Sequence, residues 1–140
     1  MTPEGYEYLD VAEDVGVSAW GRDLPACLRQ CALGVFNLIV PTDAVQLIES
    51  REVAARGDTL EALFVSWLNE CLYVHDLEGF AVGDVARPEV TPTGVHGVLR
   101  GEPVDPARHR PGTAVKGATR RGLVISETRD RVSVRLVLDI

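Results

Sequence analysis

The last nine residues of this chain alternate strictly. Val132, Val134, Leu136, Leu138 and Ile140 fall on one side, and Ser133, Arg135, Val137 and Asp139 on the other. A period of two is the signature of a strand with one buried face, so this segment demands a sheet and a layer to cover it. The covering layer is legible upstream. Leu60, Leu63, Phe64, Trp67, Leu68, Cys71 and Leu72 recur at helical spacing after Gly57, with Asp58 and Glu61 set as a capping-box-like pair. A second helical stripe, Leu24, Leu28, Cys31, Val35 and Leu38, follows a capping Asp23 and a first-turn Pro25 and stops at Pro41.

Shorter strand signals surround the helices. Tyr6–Asp10 and Val15–Trp20 read as two strands linked by Asp10–Asp14, and Ala44–Ala55 has strand character around Val45, Leu47 and Val53. Phe80–Val85, Val95–Arg100, Thr113–Ala118 and Leu123–Thr128 follow, punctuated by Gly and Pro. The pattern predicts an α+β fold over residues 1–140: a single-domain two-layer sandwich, its sheet mixed or antiparallel, with two main helices on one face. A chain of 140 residues is of ordinary size for one domain and can bury roughly two thirds of its unfolded surface.

Charge narrows the function. A net charge of −7 repels a phosphate backbone, which disfavours direct nucleic-acid binding. Arg108, His109, Arg110, Lys116, Arg120 and Arg121 form a local basic exception. No apolar run approaches the length of about eighteen residues that a membrane helix needs, and the first residues do not read as a signal peptide. The expected compartment is the cytoplasm, and the three cysteines are expected as reduced thiols.

Enzyme signatures are missing. The chain has no Gly-x-Ser-x-Gly elbow, no phosphate-binding Gly-x-x-x-x-Gly-Lys loop and no His-Glu-x-x-His helix, so it is read as not an enzyme. Cys27, Cys31 and Cys71 read as small buried hydrophobes, because no ligand histidine accompanies them. Asp10, Glu13 and Asp14 crowd one loop, and oxygen donors of that kind suit a hard divalent cation.

Several segments together resemble the archease family. They are Tyr8–Gly16, Ala32–Asn37, the helix Leu63–Asp76 with its Trp-Leu-Asn-Glu core, Gly101–Thr119 with Gly-Glu-x-x-Asp-x-x-x-His, and Leu138-Asp139-Ile140. The resemblance implies an α+β fold and a non-catalytic protein cofactor. Its partner would be an RtcB-type RNA ligase, whose guanylylation and turnover it promotes in tRNA splicing or RNA repair. It also implies a metal site at Asp14, Asp139 and the backbone of Ile140, for Ca²⁺ or else Mg²⁺ or Mn²⁺, and partner-binding roles for Lys116, Asp105 and His109.

Three departures stand out. Val11 and Ala12 replace an expected His and Thr, Glu13 replaces a small residue, and Arg120-Arg121 replace a Tyr-His pair. They motivate an alternative, a non-catalytic binding module of the same fold that serves a different complex.

Overall fold

The computed structural model describes residues 3–140. The chain opens with a tight hairpin of β1 (Gly5–Val11) and β2 (Asp14–Gly21), in which Val11 pairs with Asp14. The expected five-residue link is therefore a two-residue turn, Ala12-Glu13, because the strand alternation runs on through Leu9 and Val11. Ala12 takes the left-handed conformation, φ 48°, that tight hairpin turns require and that Gly supplies more cheaply.

Helix α1 (Leu24–Ile39) starts as its sequence predicts, with the Asp23 carboxylate accepting from Ala26 N at 3.0 Å. Helix α2 (Leu60–Glu78) is capped by Thr59, whose hydroxyl accepts from Ala62 N at 3.1 Å. Asp58 thus lies one residue outside the cap and Glu61 one residue too early, so the expected capping box does not form.

Strands β3 (Glu49–Arg56), β4 (Phe80–Val85), β5 (Glu89–Thr91) and β6 (Gly94–Pro103) make one sheet in the order β3-β6-β4, with β5 also on β6. A second sheet runs β1-β2-β9-β7, where β7 is Gly117–Ala118 and β9 is Arg131–Asp139; β8 (Val124–Thr128) also pairs with β9. Every pairing is antiparallel.

The α+β class is as expected, but the strands divide between two sheets. Helix α1 packs on β1, β2 and β4, and α2 on β3, β4 and β7, so each helix touches both sheets. One apolar core joins all of them. Trp67 is completely buried at its centre, and its indole N–H donates to the Leu28 carbonyl at 3.0 Å.

Two local differences have clear causes. The strand expected over Thr113–Ala118 shrinks to Gly117–Ala118, because Gly112 N and Thr113 N instead donate to Ile39 O and Leu38 O at 2.8 and 2.7 Å. That segment satisfies carbonyls left open at the end of α1. Val137, on the polar side of the alternation, is nevertheless buried, because the turn after β7 lies over it: a Cβ on Gly122 would sit 3.6 Å from its Cγ2.

Candidate functional site

The ladder between β2 and β9 ends on the pair of Val15 with Leu138, and Asp14 and Asp139 each lie one residue beyond that last pair, on neighbouring strands. Val17 and Leu138 are buried in the core, so the strand alternation directs both carboxylates to the outer face. The residues marked by sequence at opposite ends of the chain are thus brought together. Ile140 follows directly, half-buried and packed against the core. Asp10 and Glu13 are exposed in the hairpin, and Glu13 adds no inward-facing charge.

Asp14 already has a cation. The Arg121 guanidinium donates to its Oδ2. Among the described residues, no group of three His, Cys, Asp or Glu side chains stands ready to hold a metal ion. The donor set available here is two carboxylates and the backbone oxygen of Ile140, all hard oxygen ligands of the kind Ca²⁺ takes, with one carboxylate shared with Arg121.

Lys116 belongs to the same corner. Its backbone N–H donates to Asp139 O at 2.7 Å, and its side chain is exposed. A cleft of about 390 Å³ opens beside it, lined by Asn69, Tyr73, Asp76, Lys116, Thr119 and Asp139. Asn69, to which the sequence reading assigned no role, holds this cleft in shape. Its amide donates to Ala118 O at 3.2 Å and accepts from Ala118 N at 2.8 Å, imitating a further strand at the edge of β7. The Trp-Leu-Asn-Glu run was the available signal, since it sets a polar amide directly beside the apolar stripe of the helix, where a partly buried polar group needs a partner.

Asp105 and His109 lie in a separate network. The His109 side chain is fully buried. Its Nδ1 accepts from Asp105 N at 2.8 Å, so the proton sits on Nε2, which donates to Glu102 Oε2 at 3.0 Å. Asp105 caps the local turn, its Oδ1 accepting from Ala107 N at 3.0 Å and its Oδ2 from Arg108 Nε at 3.2 Å. Both residues therefore shape the loop after β6, and the buried imidazole offers no surface for contact.

Glu102 is the hub of that loop. Its nearly buried carboxylate accepts from both Arg108 terminal nitrogens, from Gln46 N at 2.7 Å and from His109. The Arg108 guanidinium, helped by the Gln46 N–H, holds its pKa down at about 2.

The cysteines behave as hydrophobes. All three are buried free thiols, and burial pushes Cys27 up to about 12 and raises Cys31 and Cys71 as well. No helix among the described residues is long and apolar enough to cross a membrane.

An antiparallel two-sheet α+β domain is also the architecture of known proteins. Residues 6–140 match the model of the Archease protein family, and the chain belongs to that family. It is 35% identical over 128 residues to the protein archease of Thermococcus kodakarensis, covering 89% of this chain and 90% of that one. It is 30% identical to the protein archease of Danio rerio, over 96% of this chain and 85% of the relative. The solution structure of Methanobacterium thermoautotrophicum protein 1598 superposes with a TM-score of 0.79 at 28% identity, covering 97% of this chain and 99% of that one. The crystal structure of the Thermotoga maritima archease, described as a possible chaperone, has a TM-score of 0.64 at 16% identity over 94% of each chain, a likeness of fold.

Proposed function

We propose that this chain is a non-catalytic accessory protein that assists an RtcB-type RNA ligase in the cytoplasm, promoting its guanylylation and turnover in tRNA splicing or RNA repair. Family membership supports this reading. The observation that carries it is the meeting of Asp14, Asp139 and the exposed Lys116 at one corner, beside a cleft open to solvent. A net charge of −7 fits a protein partner better than direct RNA binding.

Asp14, Asp139 and the backbone of Ile140 would hold the divalent ion of this reading, Ca²⁺ foremost, with Mg²⁺ and Mn²⁺ the other fitting ions. There the ion would supply fixed positive charge beside the ends of β2 and β9. Lys116 presents a second, movable positive charge to the ligase. His109 acts through the loop it helps to fold, while Asp105, part-exposed in the same loop, presents its carboxylate to the partner.

The test is guanylylation of the host's ligase with substoichiometric amounts of this protein. Faster labelling, lost in Lys116→Ala with the circular dichroism unchanged, is the expected result. No acceleration overturns the reading. The second reading, a module for another complex, is favoured by Arg120 and Arg121 at the Tyr-His positions; co-purification of that complex without the ligase supports it.

A further inference from the structure

We infer that Arg121 is a resident cation at the corner of Asp14 and Asp139, and that a divalent ion reaches Asp14 only by displacing it. The inference rests on the metal reading above and adds a competitor to it.

Arg121 is delivered by a built turn. Leu123 N donates to Arg120 O at 3.2 Å, and Gly122 takes the left-handed conformation, φ 65°, that places Arg121 at the turn's leading corner. The turn is pinned to β9, since the backbone N–H and the hydroxyl of Thr119 both donate to Val137 O, at 3.3 and 3.2 Å. Arg121 N in turn donates to the Thr119 hydroxyl at 3.3 Å.

This anchorage lies on the β7 and β8 side of β9, whereas Asp14 lies on the β2 side. The Arg121 side chain therefore reaches across β9 to Asp14. It takes up the Asp14 Oδ2 that a metal ion held by this carboxylate would need.

Charge explains why the arrangement persists. Two carboxylates set side by side on a ladder repel each other, and a guanidinium relieves that repulsion with one positive charge where a metal would bring two. The pair remains open to competition. The Asp14 side chain is 19% exposed but Arg121 is 62% exposed, so solvent and ions reach the guanidinium. A partly exposed ion pair is a modest competitor, and its removal should tighten metal binding by about three- to tenfold.

Calorimetric titration with CaCl₂ tests this on the wild type, Arg121→Gln, Arg120→Gln and Asp14→Asn. Melting temperatures with and without Ca²⁺ give a second readout. The expected result is tighter binding by Arg121→Gln, a larger rise of its melting temperature on adding Ca²⁺, wild-type behaviour in Arg120→Gln, and loss of binding in Asp14→Asn. Equal or weaker binding by Arg121→Gln overturns the inference. Absence of Ca²⁺ binding in all four proteins overturns it together with the metal reading. A ligase assay that fails while Arg121→Gln still tightens Ca²⁺ removes the ligase reading alone.

Discussion

Trp67 and Gly97 are matched in shape: a Cβ placed on Gly97 in β6 would stand 2.5 Å from the indole Cη2 of Trp67 in α2. Only a residue without a side chain leaves room for the indole, whose other end is fixed by its bond to Leu28 O. Gly97→Ala should therefore cost about 1–3 kcal/mol through overpacking. Trp67→Ala should cost about 3–5 kcal/mol. In a Trp67→Phe background the Gly97→Ala penalty should shrink, and a double-mutant cycle by urea denaturation measures the coupling. Additive costs would show that the two sites are independent.

Asn69→Ala should destabilise the protein by about 1–3 kcal/mol, since it removes two hydrogen bonds and leaves Ala118 N and O unserved. Hydrogen exchange at the Ala118 amide should rise more than exchange at the core of α2. A uniform rise across both regions would contradict a local role.

Glu102 makes stability depend on acid. Its folded pKa, about 2, lies below its ordinary value of 4.5. A depressed carboxylate stabilises the fold fully above the unfolded value, and the contribution is lost as pH falls through that window. The denaturation midpoint of the wild type should exceed that of Glu102→Gln at pH 7, and the gap should close between pH 4.5 and about 2. A gap independent of pH would show that lost packing, rather than charge, sets the difference.

Ala12 pays conformational strain at the hairpin turn. Ala12→Gly relieves it and should raise stability by about 0.5–1 kcal/mol, the left-handed penalty less the added freedom of the unfolded chain. Thermal melting decides. A lower midpoint would mean that the Ala12 methyl makes contacts worth more than the strain.

What the sequence revealed depended on how local the cause was. The alternation of β9, the stripes of both helices and the Asp23 cap follow from nearest neighbours along the chain, and all appear in the structure. Strand β5 did not announce itself, for three residues between Pro88 and Pro92 carry too little periodicity. Asp58 and Thr59 are both good caps, and only the register of α2 separates them. The residues before Gly117 look like a strand, yet their backbone bonds go to distant carbonyls of α1.

The acidic corner divides in the same way. Crowding of Asp10, Glu13 and Asp14 was visible at once, but the closeness of Asp14 to Asp139 came through family resemblance and is realised only by the pairing of β2 with β9. The burial of Glu102 was invisible, because one of its partners, Gln46, lies 56 residues away. Arg121 could be noted as a departure from the family's pattern, while its grip on Asp14 needed the turn geometry.

The interior position of β9 has a consequence for biogenesis. This strand is made after β2, β7 and β8, yet it is the one that knits them together. A nascent polypeptide still lacking it exposes the open flank of its first hairpin and shows no acidic corner. A protein that recognised that corner would therefore pass over nascent chains that lack β9 and engage those whose sheet has closed.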